Sequence, residues 1–591
     1  MEENRNRKRL KRNSIWHRDD AGSNTGTSQE WARKKARGRQ NDAEQEKQDA
    51  QWHCGAASEP LLPFLSDRRR DTAGKTLPPL LTEMDSWEGI AGGMPPWEDA
   101  LALRDEEHEV MASLFESCQL QGDRNPLKIV RASNQYLFDE TDTPYLDCVN
   151  SVAHVGHCHP AVVDAVAGTV GSLMNPCGWD FDYGDIKYPK DLQSYLPSNL
   201  NTFLFCNSGS EAVDLAVQLA RLYTRGNDVL VVDNAFHGSI DSVHHLSPKV
   251  SKANNISSVD WVHVVTMPDL YRGPYQADDP LAVKKYVADA RDMIDRIRLN
   301  GRKISCFIAE PMLTIPGCII PPDVWLQDMY KMVRDAGGLC IADEVQTGLG
   351  RLGSHLWSFE AQGVTPDILI IGKAIGNGYP MACVVTSPDI AALLGSRIKE
   401  YKCTAVMNAV GCTVLDVLQR DQLMASATTV GSFLQSELSK LRRKHEYIGD
   451  VRGSGLLFGL EVVWNKQSKK PAKEIAEQIV NRMKQENIIL ANEGDNRNIL
   501  MIMPPMCFTQ ENAVLLIEKL DKVLTESHNQ RLARDRVTNV PTTSQQAIPG
   551  TSDGRLGIIQ PQEEEEDDDL IAASREAMDL EYAQHCYHDL D

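Results

Sequence analysis

The sequence of 591 residues lacks several features that define large classes of proteins. It has no run of about 18 apolar residues, the length at which a segment becomes a candidate membrane-spanning helix. Its fourteen cysteines are scattered singly, without a CxxC pair, which favours reduced thiols in an intracellular protein. The N-terminus has no apolar stretch of the kind found in secretory signals. These absences argue against a secreted or membrane-spanning protein.

Positive charge is also scarce. The chain has 62 Lys and Arg residues against 83 Asp and Glu residues, a formal net charge of -21. An acidic surface repels phosphates, so nucleic acid is not expected as the main partner. The basic N-terminus is interrupted by Glu2, Glu3, Asp19 and Asp20, whereas transit peptides are poor in acidic residues. We therefore favour the cytoplasm, with mitochondrial import as the alternative.

The two ends of the chain differ in composition from its middle. Residues 1–85 are polar and basic, and residues 528–591 are polar and contain an acidic run at 563–569. Such segments bury too little apolar surface to offset the entropy of ordering, so both are predicted to be disordered tails. Charge-driven binding of a partner by a tail is the alternative. Between the tails we expect a large domain at 166–395 and a smaller one at 396–527, to which residues 86–165 contribute.

The large domain is predicted to be of the α/β class. A short strand is predicted at 201–206, and the short apolar runs at 229–233, 306–310, 339–343 and 368–373 each end in a polar residue; helical patterns alternate with them. Strands buried on both faces of a parallel sheet have this pattern. After residue 395 helical stretches alternate with a glycine-punctuated run, which indicates a smaller α+β domain.

Polar clusters follow four of these strands, at the ends where open α/β sheets bind ligands. Ser208, Gly209 and Ser210 lie between a strand and a helix, where amides and hydroxyls can hold a phosphate; an ordinary helix cap on Ser210 is the alternative. Phe236 stands beside a glycine after the next strand and could stack on a planar ring or simply pack in the core.

Two further clusters carry charge. Asp343 closes its strand and could pair with a protonated ring nitrogen, or act only as a cap. Lys373 closes a buried apolar strand, where desolvation favours a neutral, nucleophilic amine suited to a Schiff base; a lysine that reaches solvent is the alternative. A phosphate cradle, a ring stacker, an acid and a lysine together are what pyridoxal phosphate (PLP) requires.

At these residues the chain resembles the class-III PLP-dependent aminotransferases, from about residue 136 to 525. The resemblance rests on the stretches 207–212, 343–351 and 366–373. Within the family the chain is most similar to the ethanolamine-phosphate phospho-lyases and the alanine–glyoxylate aminotransferase 2-like proteins, through 152–160 and 504–508.

The resemblance implies the aminotransferase (type I) fold and a role for each matching residue. Ser208, Gly209 and Ser210 would hold the cofactor phosphate, and Phe236 would stack on the ring. Asp343 would pair with the ring nitrogen, Gln346 would lie near the ring hydroxyl, and Lys373 would form the Schiff base. Thr404 matches a family threonine that reaches the phosphate of the partner subunit, which implies a homodimer with shared sites.

The chain departs from the family pattern at three places. Phe236 stands where tyrosine is usual, so a hydroxyl is lost. Residues 406–409 keep only the asparagine of a Gly-Gly-Asn-Pro turn, and residues 175–180 lack an arginine segment of the phospho-lyases. We therefore predict a transaminase-type enzyme acting on a small primary amine or amino acid. The alternatives are a phospho-lyase acting on phosphoethanolamine or phosphohydroxylysine, and a catalytically weak scaffold protein.

One histidine-rich stretch could be mistaken for a metal centre. His154, His157 and His159 lie close together in the sequence, as ligands of a zinc ion often do. Because proline suits the first turn of a helix, the stretch is better interpreted as a turn into a helix that begins near Pro160. No metal site is predicted.

Overall fold

The computed structural model describes residues 127–172 and 187–538, with side chains described up to residue 529. They belong to one compact unit, Ala112–Asp591. The predicted tail at 1–85, the segment 175–180 and the acidic run at 563–569 lie outside the described residues. The predicted domain boundaries stay a prediction.

The described residues form fifteen β-strands and thirteen α-helices, numbered here in chain order. The strands are β1 Ile129–Ser133, β2 Tyr136–Asp139, β3 Pro144–Asp147, β4 Thr202–Cys206, β5 Asp228–Val232, β6 Val262–Val265, β7 Ile304–Ala309, β8 Leu339–Asp343, β9 Ile368–Ile371, β10 Ala382–Thr386, β11 Ile448–Ser454, β12 Leu457–Val462, β13 Ile488–Ile489, β14 Ala491–Glu493 and β15 Ile499–Ile502. The helices are α1 Pro160–Ser172, α2 Lys187–Gln193, α3 Gly209–Thr224, α4 Asp241–His244, α5 Pro248–Ala253, α6 Ala282–Leu299, α7 Trp325–Asp335, α8 Ser358–Ala361, α9 Pro388–Ala391, α10 Ala405–Arg420, α11 Leu423–Lys444, α12 Lys473–Gln485 and α13 Gln510–Thr538. Short 3-10 helices cover Lys373–Ile375 and Ala392–Glu400.

A seven-stranded sheet forms the centre of the larger half, in the order β4-β10-β9-β8-β7-β5-β6. Six of its strands run in the same direction, and β10 runs antiparallel to both of its neighbours. Strands β5, β7, β8 and β9 are buried along their whole length, because helices cover both faces of the sheet. The predicted α/β class with a mostly parallel sheet is confirmed.

Helix α3 follows the first strand of this sheet and packs on it through one apolar face. Ala212, Val213, Ala216, Leu219 and Ala220 recur at helical spacing, and each is completely buried. Their predicted inward orientation is confirmed. The N-terminus of α3 therefore lies at the carboxyl edge of the sheet, where ligands bind in α/β proteins.

Two smaller sheets accompany the central one. The first has the order β11-β12-β15-β14 and is antiparallel throughout. The second has the order β1-β2-β3-β13, and Ile488 on β13 pairs in parallel with Leu146 on β3. Strands that precede and strands that follow the seven-stranded sheet in the chain thus pair within one sheet.

The structure differs from the sequence prediction in three details. The strand predicted at 368–373 ends at Ile371, because Lys373 has a left-handed backbone with φ of 37°. Residues 406–409 do not form a turn but belong to the first turns of α10. Helix α13 continues to Thr538, beyond the boundary predicted at 528. Within the described residues, no helix combines the length and hydrophobicity needed to span a bilayer.

Candidate active site

The carboxyl ends of the parallel strands converge on a cavity of about 130 Å³, here called the strand-end cavity. It adjoins a second cavity of about 470 Å³, which reaches the hairpin between β14 and β15 and is here called the hairpin cavity. Lys373 and Gln346 line both cavities. The predicted site residues that line the strand-end cavity are Ser208, Gly209, Ser210, Phe236, Asp343, Gln346 and Lys373. The structure therefore brings together all of the predicted site residues except Thr404.

Ser208 directly precedes α3, and Gly209 and Ser210 are the first two residues of this helix, so the three residues form the turn at its start. The Ser208 hydroxyl is the N-cap of the helix and accepts a hydrogen bond of 3.2 Å from the backbone N–H of Glu211. Ser210 is not the cap, contrary to the alternative predicted for it, and its hydroxyl instead accepts a hydrogen bond of 3.1 Å from the N–H of Ser239. Because the first N–H groups of a helix have no partner within the helix, this turn presents amides and a positive dipole to the cavity.

Asp343, at the end of β8, is 4% exposed. One of its oxygens lies 2.8 Å from Nδ1 of His237, and the other accepts a hydrogen bond of 3.1 Å from the N–H of Val345. The backbone N–H of His237 in turn donates a hydrogen bond of 2.9 Å to the hydroxyl of Ser247. The bond to Ser247 fixes the backbone of the buried histidine, and the histidine in turn helps to hold the Asp343 carboxylate in one orientation.

Lys373 lies just past the end of β9, the strand adjacent to β8. Its left-handed backbone costs a residue with a Cβ about 1–2 kcal/mol, and such strain is concentrated at functional sites. The side chain is half-buried and contributes to the walls of both cavities. Gln346 lines the same two cavities, and its side-chain oxygen accepts a hydrogen bond of 2.8 Å from the hydroxyl of Ser151.

Glu310 is a second buried carboxyl group in the strand-end cavity and follows the last residue of β7. One of its oxygens accepts a hydrogen bond of 3.1 Å from the N–H of Thr314, while the other has no hydrogen-bond partner among the described residues. Burial raises the pKa of Glu310 to about 8, and the neighbouring Asp343 contributes to this increase. Glu310 is therefore largely protonated at neutral pH.

Sequence reasoning missed two of these residues as functional candidates. His237 belongs to the 235–238 cluster, which stands out for its aromatic residue and its glycine, and Glu310 is the polar residue that closes the predicted strand 306–310. The signal for Glu310 was its position at a strand end, as for Asp343. For His237 no sequence signal identified the contact with Asp343, because the two residues are 106 positions apart.

Thr404 does not line the strand-end cavity within this chain. It is the N-cap of α10, and its hydroxyl accepts a hydrogen bond of 3.2 Å from the N–H of Met407. Asn408, the residue retained from the family turn, accepts a hydrogen bond of 2.9 Å from the N–H of Tyr188. A single chain is described, so the predicted contact with a partner subunit stays a prediction.

The histidine stretch before α1 is engaged in structural contacts. Nε2 of His154 lies 2.8 Å from the carbonyl oxygen of Leu349, and His157 lies 2.7 Å from Asp147. Burial lowers the pKa of His154 to about 3. Helix α1 begins at Pro160, as predicted. In the described part of the chain, no cluster of three or more potential ligands could hold a metal ion.

Comparisons with known proteins identify the family of this chain. The family model for class-III aminotransferases matches residues 119–524. The chain belongs to the class-III aminotransferase family. It is 40% identical to an alanine–glyoxylate aminotransferase 2-like protein of Drosophila melanogaster, over 73% of this chain and 88% of that protein. It is 37% identical to ethanolamine-phosphate phospho-lyase homolog 1 of Caenorhabditis elegans, over 69% of this chain and 90% of that protein.

The fold is shared with solved structures of a phospholyase and of an aminotransferase. A phospholyase from Arthrobacter in complex with phosphoethanolamine superposes with a TM-score of 0.66 and 29% identity, over 70% of this chain and 99% of that one. A Bacillus anthracis aminotransferase superposes with a TM-score of 0.64. The predicted aminotransferase fold is confirmed, and this class-III enzyme is PLP-dependent.

The residues of the strand-end cavity fit this cofactor. The turn into α3 is compact: a Cβ on Gly209 would come within 3.2 Å of Val345, and a Cβ on Gly238 would collide with Ser210. The backbone amides can therefore approach a phosphate closely. The buried Asp343 carboxylate would suit a protonated ring nitrogen, and the Lys373 amine, just past the adjacent strand end, would suit the aldehyde. The phosphate, the ring nitrogen and the aldehyde of PLP would thus each meet a matching group of the protein.

Proposed function

We propose that this class-III enzyme transfers the amino group of a small primary amine or amino acid, with Lys373 as the residue that bonds covalently to PLP. The observation that carries the proposal is the convergence of Lys373, Asp343 and the Ser208–Gly209–Ser210 turn on one cavity. Transaminases need a lysine amine, a buried acid and a phosphate cradle together. A scaffold protein has no need for this arrangement.

In this proposal each residue has one task. Ser208, Gly209 and Ser210 hold the phosphate, and Phe236 packs on the ring. Asp343 keeps the ring nitrogen protonated. PLP, when bound, supplies an electron sink for the carbon that carries the amine. Lys373 would remove the proton from that carbon as a general base and, as a general acid, would deliver it on the cofactor side of the C–N bond rather than to the same carbon.

Phospho-lyase activity is the second candidate, and two of the similar proteins support it. A protein 37% identical to this chain is named a phospho-lyase homolog, and the superposed phospholyase structure contains phosphoethanolamine. A lyase expels phosphate from the carbon next to the one that carries the amine, so it needs a second anion site apart from the turn into α3. Residues 175–180, which lack the expected arginine, lie outside the described residues.

One assay distinguishes the two reactions. Purified protein is incubated with phosphoethanolamine without a keto acid, while phosphate, ammonia and acetaldehyde are measured. In parallel it is incubated with alanine and glyoxylate, while pyruvate and glycine are measured. We expect amino-group transfer in the second assay. Release of all three products in equal amounts in the first assay would make the enzyme a phospho-lyase, and no product in either would contradict both candidates.

Lys373→Ala is the matched control for this assay. The variant lacks the only amine assigned to the cofactor and should lose turnover with every substrate. Borohydride reduction of the wild-type protein, followed by peptide mass spectrometry, should locate PLP on Lys373. Recovery of the label on a different lysine would contradict the proposed role of Lys373, whatever the substrate.

The proposed assembly is a homodimer in which Thr404 reaches the phosphate of the neighbouring site. The support for it is that Thr404 caps α10 and does not line its own strand-end cavity. Mixing Lys373→Ala with Thr404→Val protomers tests it, since one site of a mixed dimer would then regain both residues. The cytoplasmic location also stays a prediction.

A further inference from the structure

A third cavity has a volume of about 810 Å³ and is here called the basic cavity. Its wall is formed by the loop at 270–278, by the end of α11 and the start of β11, and by the loop between β12 and α12. It shares no residue with the strand-end cavity or the hairpin cavity. The charged residues that line it are four cations and one carboxylate: Arg442, Arg443, Lys466, Lys469 and Asp278. On a chain with a net charge of -21, this is a local excess of positive charge.

The two lysines of the basic cavity are held in place mainly by uncharged oxygens. Lys469 donates to the carbonyl oxygen of Tyr271 over 2.9 Å and to the side-chain oxygen of Gln276 over 2.6 Å. Lys466 donates to a carbonyl oxygen of α11 over 2.6 Å, and the carboxylate of Glu446 lies 3.9 Å from it. Bonds to uncharged oxygens fix the direction of an ammonium group without removing its charge. Both lysines are therefore oriented cations.

The two arginines add charge that nearby carboxylates compensate only in part. Arg443 is exposed and forms no ion pair with another described residue. Arg442 lies 3.3 Å from Asp450, whose other oxygen lies 3.2 Å from Arg452. One carboxylate is thus shared between two guanidinium groups, and the basic cavity keeps a positive surplus that suits an anionic partner.

Helix α13 carries the chain past this cavity. Asp521 on α13 accepts hydrogen bonds of 2.6 Å and 2.8 Å from Lys444, the last residue of α11. Further along the helix, the ring of His528 lies edge-on to that of Tyr447, with centroids 5.9 Å apart. Tyr447 is two positions before Gly449, which lines the basic cavity. The chain that follows His528 therefore starts close to this cavity.

A run of seven carboxylates follows in the sequence, at 563–569. Twenty-four residues separate it from Thr538, the end of α13, and the only charged residues among them are Asp553 and Arg555. A chain of this length spans up to about 80 Å when it is extended, so the run can reach the basic cavity. Because such a tether keeps the run at an effective concentration on the order of 1 mM, weak ion pairs are sufficient for docking.

We propose that the basic cavity is the docking surface for the acidic run at 563–569 of the same chain. Seven consecutive carboxylates match a concave wall with four cations, and blocks of like charge often serve as interaction segments. The basic segment at 1–40 is the competing partner for the run, and the test distinguishes the two. The inference is independent of the proposed function, since it involves neither the cofactor nor the substrate.

The test is cross-linking of the full-length protein with a carbodiimide, which joins a carboxylate to an amine only where the two are in contact. Peptide mass spectrometry should find the run at 563–569 joined to Lys466 or Lys469. The yield should fall several-fold when the salt concentration is raised from about 0.1 M to about 1 M, because the Debye length falls from about 10 Å to about 3 Å. Links from the run to lysines at 1–40 instead, or no links from the run, would overturn the proposal.

Arg443→Gln removes one cation of the cavity and leaves both lysines available for cross-linking. We expect the yield at Lys466 and Lys469 to fall by about 3-fold or more, since exposed charges within a Debye length attract the run. Arg443→Lys keeps the charge and should keep the yield at these lysines, and Arg296→Gln, exposed on α6, is the matched control. A yield that is the same in Arg443→Gln and the wild type would show that the charge of the cavity does not hold the run, contrary to the proposal.

A co-expressed pair of variants identifies the chain that supplies the run. One variant has all seven carboxylates at 563–569 replaced by amides, and the other carries Lys466→Arg and Lys469→Arg. In this mixture a link between the run and the two lysines can form only between chains. We expect none, and a yield as high as in the wild type would mean that a second copy of the chain occupies the cavity.

Discussion

The strand-end cavity and the hairpin cavity meet at Lys373 and Gln346 but are built in different ways. Asp343 and Lys373, in the strand-end cavity, follow or close neighbouring buried strands, so the hydrogen bonds of one sheet fix their spacing. The walls of the hairpin cavity come mainly from loops and from a hairpin of another sheet.

Because of this difference, we expect the strand-end cavity to carry the chemistry and the hairpin cavity to carry the selectivity for substrates. Groups held by a buried parallel sheet can move little without disturbing the core, which suits residues that must hold a cofactor in one position. Loops tolerate substitution better and often carry specificity. Changes that damage the strand-end cavity should therefore affect every substrate, whereas changes in the hairpin cavity should affect some substrates and spare others.

Asp343→Asn should give the largest effect among variants that keep Lys373. The amide cannot hold the ring nitrogen protonated, so turnover should fall by about 100-fold or more for every amine, as when one electrostatic group is removed from an active site. Part of the bound cofactor should remain, as measured by absorbance after gel filtration.

Asp367→Asn is the matched control for this variant. Asp367 lies at the opposite edge of the sheet, where it accepts a hydrogen bond of 2.8 Å from the N–H of Cys340. Its substitution should leave turnover per bound cofactor unchanged. Near-normal turnover in Asp343→Asn would remove Asp343 from the mechanism and weaken the contrast between the two cavities.

The sequence predicted the strand-end cavity well, and the reason is physical. Strands buried on both faces produce apolar runs that end abruptly, so the residue pattern alone places Asp343 and the 207–211 cluster at one edge of a sheet. The same pattern places Lys373 there, although its left-handed backbone could not be predicted.

The hairpin cavity could not be predicted from the sequence in this way. Arg497 and Asp147 are 350 positions apart, and no periodicity connects a residue of the β14–β15 loop with the last residue of β3. The pairing of β13, which directly precedes β14, with β3 brings these two parts of the chain together. Contacts of this kind depend on tertiary packing, which local patterns do not encode.

His237→Leu should have an intermediate effect. The variant removes the hydrogen bond that orients the buried Asp343 carboxylate, and losing a bond to a charged group should lower turnover by about 10-fold or more for all substrates. His237→Asn should restore part of the activity, since its amide can replace Nδ1 as a donor. A merely structural role predicts equal losses for Leu and Asn, together with an unchanged pH dependence of the cofactor absorbance.

Glu310→Gln should have the smallest effect on turnover and a measurable effect on stability. The pKa of Glu310 is raised from 4.5 to about 8, so between these values the folded protein keeps a proton that the unfolded chain releases. Raising the pH across this range therefore destabilises the wild type relative to the variant, which has no proton to lose. The melting temperature of Glu310→Gln minus that of the wild type should therefore increase by a few degrees between pH 5 and pH 8.5.

The exposed Glu446→Gln is the control and should show no such change. A pH-independent difference between Glu310→Gln and the wild type would mean that the carboxyl group is already ionised in the folded protein, and the strand-end cavity would then contain two negative charges rather than one.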